Sequence, residues 1–224
     1  MRTLKIMALG LAVLVFSGVA LHADSLYLGP NDVSVKMYVF GSYQTEGGGS
    51  IGPSLLGPTQ GTAVSVPWVY CIDLKDSITI PGWYNNTTVT NDASMTGLTN
   101  DSSGLTGFNN GSGVVNNAAQ VAYLLQTYAA GATTGDQQAA LQAAIWTEIY
   151  GSSNVYINET GNRLTLYNTY LTNVGTGNVA NFSWLSPGNG LQGLVTQVPD
   201  GGMTLILLGG TLVGVETLRR KFRV

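Results

Sequence analysis

The chain has 224 residues and a formal charge of −3, and its two ends differ so much from the middle that the length fits about one folded domain. Six of the nine basic side chains lie in the ends, leaving Lys36, Lys75 and Arg163 against ten acids over residues 24–198, which excludes a phosphate-neutralising surface and nucleic acid as a partner. The one histidine, His22, falls in the N-terminal leader and Cys71 is the one cysteine. That excludes Ser-His-Asp and Cys-His catalysis, thiolate metal clusters and an intrachain disulfide, and no metal or cofactor is expected.

Arg2 and Lys5 precede an apolar run over residues 6–16, followed by small residues and Leu21-His22-Ala23. This is the charged, apolar and cleavage pattern of a secretory signal over residues 1–23, with a small residue at the cut. Residues 33–39 alternate apolar and polar side chains, as a strand with one face in a core does. A second strand is expected within residues 63–74, with Pro67 marking an edge, bulge or break. Residues 82–116 are rich in Asn, Thr, Ser and Gly and read as loops with short exposed strands.

Residues 117–128 turn helical, with Val121, Leu124, Leu125 and Tyr128 on one stripe. Thr134-Gly135-Asp136-Gln137 matches a capping box, so a second helix should run to about Tyr150, with Gly151 as its stop. Residues 164–171 fit either helix or strand, and residues 182–185 and 191–196 read as closing strands. Strands flanking a helical pair predict an α+β fold over residues 24–198.

Residues 199–224 form the third segment. Val198-Pro199-Asp200-Gly201-Gly202 precedes a mostly apolar run over residues 203–215 and a basic end from Arg219 to Arg223. Basic residues just after such a run hold the C-terminus on the cytoplasmic side, with the middle facing outward. The tail resembles the PEP-CTERM class of sorting signals in its VPDGG-like variant, with Asp200 in place of the usual Glu. The resemblance implies a transient membrane anchor processed by an exosortase-like enzyme.

Two motifs in the middle carry chemistry. Spacing on the second helix puts Gln142 on the greasy face with Ile145, Trp146 and Ile149. A carboxamide buried there without partners costs about 1 to 3 kcal/mol, so a specific partner is expected. In the strand, alternation places Cys71 and Asp73 on one side and Tyr70 on the other.

Tyr70-Cys71-Ile72-Asp73 and Leu141-Gln142-Ala143-Ala144-Ile145-Trp146 together resemble the paired motifs of bacterial thioester domains, found in surface adhesins. The resemblance implies an antiparallel β-barrel or sandwich with an inserted helical subdomain. It also implies an internal thioester between Cys71 and Gln142. Independently of the family, a thiol held at near-attack distance from a carboxamide can gain an effective molarity of about 10⁵ M, enough to drive loss of ammonia. Asp73 is then a candidate acceptor or relay for the thiol proton, and Tyr70 and Trp146 are candidate shields against water. The product is a single-use electrophile, not a turnover enzyme, awaiting an amine or hydroxyl on a surface polymer or protein. The competing expectation is a passive extracellular-matrix or surface protein in which Cys71 is a buried small hydrophobe. A hydrolase using Glu148 and Asp73 has no paired-acid motif to support it.

Overall fold

A computed structural model describes residues 21–57, 63–96, 113–188 and 190–197. In chain order the strands are β1 (Leu21–Leu28), β2 (Ser34–Val39), β3 (Ser42–Gly47), β4 (Ser54–Gly57), β5 (Val64–Val66), β6 (Val69–Cys71) and β7 (Gly82–Thr90). Helices α1 (Ala118–Tyr128) and α2 (Gly135–Tyr150) follow, then β8 (Val155–Ile157), α3 (Asn162–Leu171), β9 (Phe182–Ser186) and β10 (Leu194–Gln197). The expected α+β class holds.

Seven strands form an antiparallel sheet in the order β5-β4-β1-β7-β9-β10-β6, and three more form a second sheet, β3-β2-β8. The larger sheet curls without closing. Its last strand, β6, meets the segment just before β4 through one bridge, Ile51 to Val69, where the Ile51 N–H donates to the Val69 carbonyl at 2.8 Å. Of the two architectures expected, a closed barrel is therefore not formed among the described residues. Pro67 has no N–H to offer a ladder, and the chain breaks between β5 and β6 around it.

The alternation in β2 works as read: Val35, Met37 and Val39 are buried while Ser34 and Lys36 are exposed. On its outer face, cross-strand pairing sets Tyr38 between Tyr43 and Tyr156, with ring centroids 5.3 and 4.8 Å apart. The helix expectations hold as well. Thr134 and Gln137 cap α2 reciprocally, and Gly151, at φ 84°, ends it in a conformation that L side chains rarely adopt. The ambiguous residues 164–171 are helical.

The reading of residues 82–116 needs correction. Nine of these residues make β7, which lies inside the large sheet between β1 and β9. Polar composition misled because Asn and Thr side chains stand on the sheet's wetter face, while Thr87 and Val89 turn inward. Residues 97–112 lie outside the described set.

α2 is the centre of the molecule. It packs against α1, α3, β2 and β8, and every residue from Ala139 to Thr147 is buried. A helix apolar on most sides is a core helix, so a polar side chain within it needs an explanation. β1 begins at Leu21, and its Leu21–Ala23 portion pairs with Val89, Thr88 and Thr87. The rest of the expected leader, residues 1–20, and the tail from Val198 with Pro199, Asp200, Gly201 and Gly202 lie outside the described residues. No helix among the described residues is long and apolar enough to cross a membrane.

Candidate functional site

β6 is three residues long and is buried throughout. On one edge it pairs with β10, in register Leu194 to Cys71. A strand's N–H and C=O groups alternate between its two edges, so those of Cys71 point off the opposite edge. Among the described residues no strand lies there to receive them. The side chain of Gln142, from the second turn of α2, takes that place. The Cys71 N–H donates to Gln142 Oε1 at 2.9 Å, and Gln142 Nε2 donates to the Cys71 carbonyl at 2.6 Å. A carboxamide has the same donor and acceptor as a peptide unit, so it works here as a one-residue strand. This is the specific partner that burial of Gln142 demanded.

The approach of α2 is set by a glycine run that the sequence reading passed over. Gly48 and Gly49 follow β3 and lie directly on α2. A Cβ on Gly48 would stand 3.1 Å from Gln142 Cγ and 3.0 Å from Val35 Cγ1; one on Gly49 would stand 3.2 Å from Gln138 Cβ. The bare backbone presses the Gln142 stem toward β6.

The five residues singled out in the two motifs are all buried to within a few per cent. Cys71, Gln142, Tyr70, Trp146 and Asp73 are 4%, 0%, 0%, 0% and 1% exposed. Trp146 sits one turn from Gln142, beside Leu141 and Ile145 in the core. The Tyr70 ring packs on Trp68, which in turn meets Phe182, so Tyr70 closes the face of β6 that Cys71 does not use. Three buried polar atoms have no hydrogen-bond partner among the described residues: Tyr70 Oη, Trp146 Nε1 and Asp73 Oδ2. All three belong to the motif residues. Buried polar atoms without partners are rare in folded proteins.

Electrostatics changes one expectation. Burial, reinforced by the nearby Asp73 charge, pushes the Cys71 thiol up to about 12. At neutral pH the buried Cys71 is therefore a thiol and not a thiolate. Asp73 itself is pushed up to about 7, mainly by burial and further by Asp76, while hydrogen bonds from Lys75 and Tyr150 act in the opposite direction. Its Oδ1 accepts from the Lys75 N–H at 2.9 Å and from the Tyr150 hydroxyl at 3.1 Å. Tyr150 Oη also accepts from the Leu74 N–H at 3.1 Å, and Gln192 Nε2 donates to the Asp73 carbonyl at 2.6 Å.

Tyr150, Asp76 and Gln192 were not singled out from sequence. Tyr150 had a detectable signal, lying two turns beyond Gln142 on the same helix; Gln192 had none. Phe40 meets the Tyr150 ring edge-on at 5.3 Å, and the Lys75 ammonium lies 4.0 Å above the Phe40 ring. Glu148, the other acid considered, acts on Tyr167 rather than on Asp73.

Beside Cys71 a cleft of about 380 Å³ opens, with Glu46, Lys75, Asp76, Ile78 and Gln192 among its walls. Cys71 is itself one of the residues that line it. Comparison with protein-family models, with curated proteins and with solved structures returned no match.

Proposed function

We propose that this chain is an exported surface protein whose Cys71 and Gln142 condense into an internal thioester, which then couples once to an amine or hydroxyl on a partner polymer or protein. The observation that supports this reading is the pair of hydrogen bonds between the Gln142 carboxamide and the backbone of Cys71. They hold the amide against the residue that bears the sulfur, and they polarise it for attack. The Cys71 N–H already touches the oxygen on which negative charge develops, which is the arrangement of an oxyanion hole. The Cys71 carbonyl holds the nitrogen that departs.

In the first step the sulfur bonds to the Gln142 amide carbon and the C–N bond breaks. The thiol hydrogen leaves with the nitrogen as ammonia. In the second step an amine or hydroxyl bonds to the same carbon, the C–S bond breaks, and the thiol reforms beside a new amide or ester. The cleft walled by Asp76 and Gln192 is the route for both ammonia and the incoming group. The N-terminal leader exports the chain, and the tail anchors it until an exosortase-like enzyme processes it. Matrix, neighbouring cells or a surface polymer is the destination.

One observation favours the passive alternative, in which Cys71 is simply a buried hydrophobe: the Gln142 amide, as an amide, is fully hydrogen-bonded. Thiol titration separates the two. Unfolding the freshly purified protein should expose no reactive thiol, whereas treating the folded protein with methylamine first should expose one. A reactive thiol without amine treatment supports the passive protein.

A further inference from the structure

The thioester reading, on which this inference rests, requires a carrier for the thiol proton. Cys71 is buried and its thiol is held protonated, so a base must act at the moment of attack. Asp73 lies near enough to be felt electrostatically by the thiol. Its carboxyl is fixed rather than free to turn: Tyr150 and the Lys75 N–H both hold Oδ1, and Gln192 ties down the carbonyl of the same residue. Oδ2 is buried and receives no N–H or hydroxyl donor among the described residues.

Asp76 comes within hydrogen-bonding reach of Asp73 and stands in the wall of the cleft that Cys71 also lines. A second carboxyl in such contact disfavours ionisation of the buried one, and this adds to the rise of Asp73. The sequence had offered Asp73 alone.

We propose that Asp73 and Asp76 act as a proton-sharing carboxyl pair, set in place by Tyr150, which accepts the Cys71 thiol proton during acyl transfer and delivers it to the departing nitrogen. The pair takes the proton as the S–C bond forms. It gives the proton to nitrogen as the C–N bond breaks, so the carboxylate is regenerated and neutral ammonia leaves through the cleft. Asp73 and Asp76 are the proton carriers, and Tyr150 is a positioning residue. The charged or titratable groups facing Asp73 are Asp76 and Cys71 from its own segment and Tyr150 from α2, with Glu46 of β3 also lining the cleft; Lys75 meets it through the backbone N–H and sets its ammonium over Phe40.

The pair works as a base only when Asp73 is ionised, so ammonia loss should rise with pH through a midpoint near the Asp73 value of about 7. Asp76 raises that value and the Tyr150 hydroxyl lowers it. Asp76→Asn should therefore move the midpoint down, and Tyr150→Phe should move it up. Asp73→Asn should slow the step by about 100-fold or more at pH values above that midpoint, and the gap to the parent should close below it.

The test starts from protein treated with ammonia, which opens the thioester and restores Gln142 and the thiol. After ammonia is removed, intact mass is followed over time at a series of pH values for the parent and the three variants. Opposite displacements for Asp76→Asn and Tyr150→Phe support the relay, since a merely structural role would not split them by sign. Asp76 is only partly buried, so its Asn variant keeps the test alive even if Asp73→Asn fails to fold. Unchanged midpoints, or displacements in the same direction, overturn the relay while leaving the thioester standing. A parent that never loses ammonia at any pH overturns both.

Discussion

Arg163 and Gln142 both use polar side chains to join segments far apart in sequence, one at the surface and one in the core. At the surface, the Arg163 guanidinium of α3 reaches Asp136 of α2 at 2.7 Å, Glu159 at 3.0 Å and the Ser34 carbonyl of β2 at 2.8 Å. In the interior, Gln142 of α2 reaches Cys71 of β6. The outer clasp is partly exposed, with the arginine side chain 28% accessible, and its partners are screened by water. The inner contact is buried, and Tyr70 Oη, Trp146 Nε1 and Asp73 Oδ2 of the same motifs lack a hydrogen-bond partner among the described residues. A fastening needs only satisfied partners. Buried groups left short of partners cost stability and point to chemistry that uses them.

That contrast can be broken by substitution. Replacing Gln142 by Leu should have the largest effect: ammonia loss is abolished, and the Cys71 N–H and C=O are left buried without partners, at a cost of about 3 kcal/mol in chemical denaturation. Gly48→Ala should come next. Its methyl group would crowd Gln142 Cγ and Val35 Cγ1 at about 3 Å, destabilising by about 2 kcal/mol through overpacking and slowing thioester formation as the amide shifts. Thr134→Ala removes the cap of α2 and should cost about 1 kcal/mol without altering the final mass of the protein. Arg163→Ala should have the smallest effect. Its loss of stability should shrink further as salt is added, and ammonia should still leave.

Acid and base sharpen the same contrast through linkage. Asp73 titrates near 7 when folded, above its ordinary value of 3.8. The folded state therefore binds the extra proton between those values, and the stability it confers is complete at low pH and lost as pH rises through about 7. Asp136 behaves oppositely: hydrogen bonds from Arg163 and Asn162 lower its titration, so its contribution fades as pH falls. Denaturation midpoints at several pH values for Asp73→Asn and Asp136→Asn should show slopes changed in opposite directions.

Much of this was legible in the sequence, for reasons particular residues make plain. The capping box at Thr134 and Gln137 and the stop at Gly151 are local chemistry, and they placed α2 to within a residue. Gln142 declared itself because a carboxamide on an apolar stripe demands a partner. β7 did not, since its Asn and Thr residues look like loop and only the neighbours β1 and β9 make them a strand. Asp76 and Gln192 were equally silent. Their roles arise from where loops return in space, as does the pressure of Gly48 on Gln142, and no spacing along the chain encodes that. The closed form of the barrel was also beyond reach, because closure depends on whether β6 finds a ladder or, as here, the single bridge to Ile51.

The most direct test is intact mass spectrometry of the purified chain beside Cys71→Ala and Gln142→Ala. The account predicts that the parent alone is one ammonia lighter than its own sequence, and that methylamine adds to the parent alone. A parent at full sequence mass, with an unmodified Cys71 thiol and no uptake of methylamine, would contradict it.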